Sequence, residues 1–229
     1  APRPTRPEKR RPSDPFPRLG KFLAPRCRHE PLSRIQGERE FYGRSFRVTP
    51  ATLDPRADSE TLIATILSVA SEQPPKPLRI LDIGTGTGCL LLTLLLELPH
   101  ARGVGVDISS DALSVARTNA DRLRVSERVT WIETDIARGI AGPFDILVSN
   151  PPYIRSGEIA GLSDEVRNYD PHLALDGGED GLRFYRAISA DLGRLVPDGR
   201  VALEVGHDQA DAVVAELQAS ALAWAFRDL

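Results

Sequence analysis

From residue 78 to residue 219 the chain alternates between two periodicities, and this alternation restricts the fold more than any other feature. Short runs rich in β-branched residues occupy 78–83 (LRILDI), 103–107 (GVGVD), 129–133 (VTWIE), 144–149 (FDILVS) and 200–205 (RVALEV). Between them, segments 88–98, 109–123, 179–195 and 207–219 read as helices. Strands separated by helices of this length predict an α/β fold with a doubly wound, mostly parallel sheet covered on both faces. Right-handed crossovers bring the carboxyl ends of the strands to one edge, where ligands bind. A chain of 229 residues holds one such domain and a small appendage.

Upstream, residues 58–72 (DSETLIATILSVASE) predict a helix with Leu62, Ile63, Ile66, Leu67 and Val69 on its apolar face, capped by Asp58 or Ser59. Residues 40–49 (EFYGRSFRVT) predict a short β-hairpin turning near Gly43 and Arg44. Residues 1–18 hold six prolines and repeated arginines with almost nothing apolar, so no core forms there and the tail is expected to be disordered. The expected organisation is a Pro/Arg-rich tail over 1–30, a hairpin lead-in over 31–57 and the main domain over 58–229.

Charge is unevenly spread. Residues 1–30 carry nine Lys/Arg against three Asp/Glu, so with a whole-chain charge of −3 the remaining body stands at −9. An acidic body binds nucleic acid poorly, because phosphate neutralisation supplies most of that affinity. The longest apolar run, Cys89 to Leu96, is too short to span a bilayer. The two cysteines, Cys27 and Cys89, form neither a disulfide framework nor a ligand cluster, and no His spacing suggests a metal. A reducing cytoplasm is the expected compartment.

The first strand runs into Asp82-Ile83-Gly84-Thr85-Gly86-Thr87-Gly88. Alternate glycines permit a tight turn and close approach of a ligand to the backbone. The helix that follows is expected to aim free N–H groups into the same space. The G-x-G-x-G spacing differs from the dinucleotide pattern G-x-G-x-x-G, and no Walker lysine follows. The second strand ends at Asp107, where a carboxylate can accept both hydroxyls of a ribose; the plainer alternative, a helix cap, is open to Ser109 or Ser110. The third strand ends in Thr134-Asp135-Ile136, a point that can lie beside an adenine, and an ordinary loop Asp accounts for it equally well.

The fourth strand ends in Ser149-Asn150-Pro151-Pro152-Tyr153-Ile154. Consecutive prolines stiffen the backbone and remove its donors. The Asn150 side-chain oxygen and the Pro151 carbonyl remain as acceptors, with the Tyr153 ring beside them. Two acceptors can hold the two hydrogens of a planar –NH₂ group, orient its delocalised nitrogen and stabilise positive charge as it develops. A rigid turn with a buried Tyr is the alternative for the segment alone.

With these motifs in place, the chain resembles the HemK-type protein-(glutamine-N5) methyltransferases, which modify a glutamine of class 1 peptide chain release factors. Arg34 to Gly43 is similar to that family's lead-in, and Thr52 to Glu60 to its pre-helix segment. Asp82 to Gly88 and Asn150 to Tyr153 match its two core motifs. Tyr169-Asp170-Pro171, Ala174 to Gly178 and Asp180-Gly181-Leu182 match a characteristic loop. The resemblance covers residues 30–229 and implies a Rossmann-like class I methyltransferase domain. It implies S-adenosyl-L-methionine as methyl donor, S-adenosyl-L-homocysteine as product and no metal. By the resemblance Gly84, Thr85, Gly86, Thr87, Gly88, Asp107, Ile136 and Asn150 would contact the cofactor, with Asp135 added from its place at the third strand end, and Asn150, Pro151, Pro152 and Tyr153 would hold the glutamine of a release factor; neither nucleic acid nor membrane is expected as a partner. Three departures stand out. A Pro/Arg-rich tail occupies the place of the family's helical substrate-docking domain. Asp54 and Ala57 replace an apolar residue and a proline. The chain stops at Phe226-Arg227-Asp228-Leu229, before the last strand expected to close the sheet.

Other readings share the acceptor motif. A glutamine methyltransferase acting on a ribosomal protein would use it identically. An N6-adenine or N4-cytosine methyltransferase would grip a flipped base with it, but would need an insert to read sequence. A non-catalytic nucleotide-binding module would not need the acceptors. Glu204, near the expected cleft, reads as structural.

Overall fold

The computed structural model describes residues 19–71 and 76–219. The tail expected over 1–18, residues 72–75 and the terminal residues 220–229 lie outside the described residues. Two short helices come first, α1 (Leu19–Arg26) and α2 (Leu32–Gln36), followed by strands β1 (Glu38–Phe41) and β2 (Arg44–Arg47). The stretch read as tail therefore contains a helix at 19–26. Ion pairing between Arg26 and Glu165 at 2.7 Å, and a hydrogen bond from the Tyr169 hydroxyl to the Arg28 carbonyl at 2.8 Å, tie this region to the body. Contacts with residues some 140 positions away are invisible to local composition.

Strands β1 and β2 form the expected antiparallel hairpin, with Phe41 and Phe46 buried edge to face. Asn119 holds it to the main domain, accepting from the Arg47 amide at 2.7 Å and donating to the carbonyls of Arg47 and Thr87 at 3.1 and 2.9 Å. The unusual Asp54 also has a partner set: it takes the Ser33 hydroxyl and lies 3.2 Å from Arg34. Arg34 reaches Asp170 at 2.7 Å, and all three of these charged side chains are buried.

The main domain runs α3 (Glu60–Ser71), β3 (Arg79–Ile83), α4 (Cys89–Glu97), β4 (Arg102–Asp107), α5 (Ser110–Arg122), β5 (Val129–Glu133), β6 (Ile146–Ser149), α6 (Asp164–Tyr169), α7 (Arg183–Leu195), β7 (Arg200–Leu203) and α8 (Ala210–Gln218). The five strands pair in the order β5-β4-β3-β6-β7, all parallel. Period-two alternation assigns the faces. Ile80, Ile146 and Val148 pack with Ile63, Ile66 and Leu90 to Leu92 of α3 and α4. Leu81, Leu147 and Val106 pack with Tyr185, Ile188, Leu192 and Val213 of α7 and α8. Burial on both faces explains why the strands read as nearly continuous apolar runs.

The order reverses at β3, which pairs β4 on one side and β6 on the other. That switch point opens a crevice at the carboxyl ends of β3, β4 and β6. Most boundaries move by one to three residues, as in α8, which begins at 210 rather than 207, and two departures are larger. Helix α7 begins at 183 rather than 179, because Gly177 and Gly178 hold a loop that Asp180 closes by accepting the Leu182 amide at 3.0 Å. Residues 155–175 carry α6 and two 3-10 turns that local patterning did not announce.

Candidate functional site

The loop after β3 bends through left-handed glycines, with φ +69° at Gly84 and +55° at Gly86. A side chain at Gly84 would meet nothing within 4 Å, so the loop exposes bare backbone to the crevice. The other loop residues face inward. The Thr85 hydroxyl donates to Asp82 at 2.6 Å, Thr87 accepts the Cys89 amide, and a Cβ at Gly88 would press on Leu92 and Trp131. The Thr85, Thr87 and Gly88 carbonyls are taken by Gly88, Asn119 and Leu92, so the part of the loop open to a ligand lies at Gly84 and Gly86.

The amides of the loop itself are largely engaged. Gly84 and Thr85 both donate to the Val106 carbonyl at 2.9 Å, Gly88 donates to Thr85, and Gly86 donates to the Asp107 carboxylate at 2.9 Å. Thr87 takes the first helical amide, that of Cys89. Donors spent internally make no nest for phosphate, so this loop suits a ligand without an anionic group there.

Asp107 closes the next wall. Its two oxygens accept from Gly86 and Ser109, both at 2.9 Å, which fixes the carboxylate and leaves further lone pairs for ribose hydroxyls. Burial holds its pKa above the ordinary carboxylate value, partly offset by these backbone donors. Ser109 caps α5, accepting from Ala112 at 3.2 Å, so the cap role lies with Ser109 and not with Asp107. Ile108, which the motifs did not flag, leaves a 55% exposed apolar surface beside Asp107. Beyond β5, Asp135 is exposed and Ile136 adopts φ +55°, a strained backbone for a β-branched residue. Together these walls fit S-adenosylmethionine: open glycines, a fixed carboxylate and apolar edges, with no demand for an anion-binding nest.

Asn150 stands half-buried where β6 ends, next to the glycine loop across the β3–β6 pair. Its Nδ2 donates to the Ser59 hydroxyl at 3.1 Å, and Ser59 donates onward to the Glu204 carboxylate just past β7. Burial raises the Glu204 pKa, with the hydrogen bonds from Ser59 and Asn150 opposing it. Sequence reading assigned Ser59 to helix capping and left Glu204 as structural. The only signal available was the position of Glu204 at a strand end.

Pro151 is buried, and Pro152 and Tyr153 are partly exposed. A neighbouring loop grips the turn from behind. Gly177 donates to the Ile154 carbonyl at 2.8 Å, Ile154 donates to Leu175 at 3.1 Å, and Gln209 Nε2 donates to the Tyr153 carbonyl at 3.0 Å. Burial and the nearby Glu204 raise the Tyr153 pKa, which keeps its phenol neutral. Burial also pushes the Cys89 thiol up to about 12, so this cysteine is packing rather than nucleophile. Among the described residues no group of three or more His, Cys, Asp or Glu could hold a metal. No helix among them is long and apolar enough to cross a membrane.

Comparison with known proteins gives concordant similarities. The model of the methyltransferase small domain family matches residues 58–165. A release factor glutamine methyltransferase of Agrobacterium fabrum is 47% identical over 199 residues, covering 86% of this chain and 69% of that protein. The one from Bradyrhizobium diazoefficiens is 46% identical over 207 residues, covering 90% and 70%. A crystal structure of an S-adenosylmethionine-dependent methyltransferase from Agrobacterium tumefaciens superposes with TM-score 0.56 at 17% identity, over 81% of this chain and 58% of that one.

Proposed function

The chain belongs to the release factor glutamine methyltransferases, and from that premise we propose that it methylates the side-chain nitrogen of a glutamine in a class 1 peptide chain release factor. It is an S-adenosylmethionine-dependent transferase of the Rossmann-like class I fold. The observation that carries the finer reading is Asn150, held by its amino end at the switch point of the sheet, beside the glycine loop.

When bound, S-adenosylmethionine supplies an electrophilic methyl group on sulfur. The open backbone of Gly84 and Gly86 would border it, Asp107 would take the ribose hydroxyls, and Asp135 and Ile136 would flank the adenine. The chain's own task is to make an amide nitrogen nucleophilic. Its lone pair is delocalised, so orientation and charge stabilisation matter more than a strong base. Asn150 Oδ1 and the Pro151 carbonyl accept the two N–H groups of the glutamine, and Pro152 keeps that corner rigid. Tyr153, kept neutral, covers the amide plane. As the nitrogen gains positive charge both acceptors bind it more strongly, and its proton leaves after transfer. S-adenosylhomocysteine is the other product. The acidic body supports a protein rather than nucleic-acid substrate, and a release factor puts the reaction in the cytoplasm.

The test supplies methyl-labelled donor with a release factor, then with DNA and RNA. Label on a release-factor glutamine is expected; label on nucleic acid alone sinks the proposal. Asn150→Ala should slow transfer by about 10²–10³ while leaving cofactor binding largely intact.

A further inference from the structure

Asparagine side chains present an oxygen on one arm and an amino group on the other, and a half-turn exchanges them with little change in shape. For Asn150 the difference decides function, because only the oxygen can accept from a substrate –NH₂. We infer that Ser59 and Glu204 are positioning residues that fix the polarity of the Asn150 carboxamide, so that Oδ1 and not Nδ2 meets the substrate nitrogen. The inference rests on the amide-methylation reading above.

The polarity follows from donor counting. An ionised Glu204 is acceptor-only, and Ser59 donates its single hydrogen to it. The Ser59 oxygen is then left as an acceptor, and the Asn150 atom 3.1 Å away must be the amino nitrogen. Turning the carboxamide over would set a carbonyl oxygen against a hydroxyl oxygen with no hydrogen between them.

The relay is built from three separate elements, and backbone bonds pin Ser59 and Glu204. Ser59 is 3% exposed, and its amide donates to Arg56 at 3.2 Å. Glu204 donates its amide to Ser149 at 3.0 Å and receives the Tyr185 hydroxyl on its carbonyl at 2.8 Å. The charged and titratable groups facing the Glu204 carboxyl are Asp58, Arg56, Cys89, Tyr153 and Tyr185. Protonation would turn Glu204 into a donor to Ser59, release the hydroxyl hydrogen towards Asn150 and allow the reversed amide. Activity is therefore lost as pH falls through the raised pKa of this carboxyl.

Ser59→Ala, Ser59→Thr and Glu204→Gln test the inference in the full chain. Ser59→Ala should lower kcat on a release factor about tenfold, the effect of one hydrogen bond, with KM for S-adenosylmethionine near the wild-type value. Ser59→Thr, which keeps the hydroxyl, should recover most of that loss. Glu204→Gln has the same shape but can donate, so it should lower kcat similarly and flatten the acid limb of the kcat–pH profile. Independently of substrate, NMR of selectively labelled protein should show a nuclear Overhauser contact between the Asn150 amide protons and the Ser59 β-protons in the wild type, weakened in Glu204→Gln. Wild-type kcat in both Ser59→Ala and Glu204→Gln, or the absence of that contact from the wild type, overturns the inference. Equal losses of kcat, cofactor affinity and melting temperature also overturn it, as a purely structural role. An intact contact in a wild type that leaves release factors unmodified instead sinks the substrate reading and retains the amide polarity.

Discussion

Gln209 donates through Nε2 to the Tyr153 carbonyl at 3.0 Å and accepts the Gly206 amide on Oε1 at 3.1 Å, so one buried amide ties the loop before α8 to the back of the Asn-Pro-Pro-Tyr turn. Replacing it by Ala leaves both backbone groups buried without partners, at a cost of about 1–3 kcal/mol each. Gln209→Ala should lower the denaturation midpoint and reduce kcat more than cofactor affinity. Urea unfolding together with steady-state kinetics checks both. An unchanged midpoint would mean that water replaces the side chain.

Gly181 should tolerate no side chain. Its φ is +78°, and a Cβ would land against the Tyr153 carbonyl oxygen and Gln209 Nε2. Gly43 has a similar φ of +70° with nothing within 4 Å. Gly43→Ala should therefore cost only the left-handed strain, about 1–2 kcal/mol. Gly181→Ala should cost distinctly more, because the Asn-Pro-Pro-Tyr turn must also shift. Paired unfolding curves give the comparison, and equal losses would show that the turn gives way freely.

These two sites mark the limit of what the chain shows before folding. Strand 129–133 and the helix near 109–123 were legible to within a residue because periodicity and the Ser109 cap are local signals. The glycine loop and Asn150 were legible because their spacing from strand ends is local too. What escaped is set by distant partners. Ser59 looks like a helix cap until Glu204, 145 residues away, takes its hydrogen. Helix α6 is six residues long, too short to form by propensity, and it is held by Arg26 and by the reach of Tyr169 to Arg28. That Val106 accepts two of the loop amides is likewise invisible in the sequence.

Arg34 and Asp170 form a buried pair at 2.7 Å with each side chain 4% exposed, and Arg56 adds a second contact to Asp170 at 2.6 Å. Removing one partner leaves the other with its second contact alone, Asp54 for Arg34 and Arg56 for Asp170, so the cost falls below the about 3–5 kcal/mol of a fully stranded buried charge. Asp170→Asn and Arg34→Met should each still destabilise. The double substitution should lose clearly less than the sum of the two, and an additive cycle would show that the pair is uncoupled.

Asp107→Asn should weaken S-adenosylmethionine binding by more than tenfold, since one ribose acceptor becomes a donor and two lone-pair contacts are lost. One of the amides of Gly86 and Ser109 would also face an NH₂ group, so a modest drop in melting temperature is expected. Calorimetric titration decides the matter. Unchanged affinity would remove Asp107 from the ribose site.

Asp82 makes a prediction of unusual sign. It is fully buried beneath the glycine loop, and desolvation raises its pKa from 3.8 to about 7, against the opposing hydrogen bond from Thr85. The folded protein therefore keeps this proton over a range in which the unfolded chain has lost it. The stability that this preference contributes is complete below about pH 4 and is lost as pH rises through 7, at about 1.4 kcal/mol per pH unit. Asp82→Asn keeps an acceptor for the Thr85 hydroxyl and cannot ionise. The stability of the wild type relative to Asp82→Asn should therefore fall by a few kcal/mol between pH 4 and pH 8. The exposed carboxylates of Asp176, Asp180 and Asp208, whose pKa values are lowered, act below that range and are common to both proteins. Urea denaturation of the cofactor-free pair at pH 5 and pH 8 isolates the effect. A difference that stays constant would mean that Asp82 is ionised in the fold, with a cation or ordered water beneath the loop to compensate it.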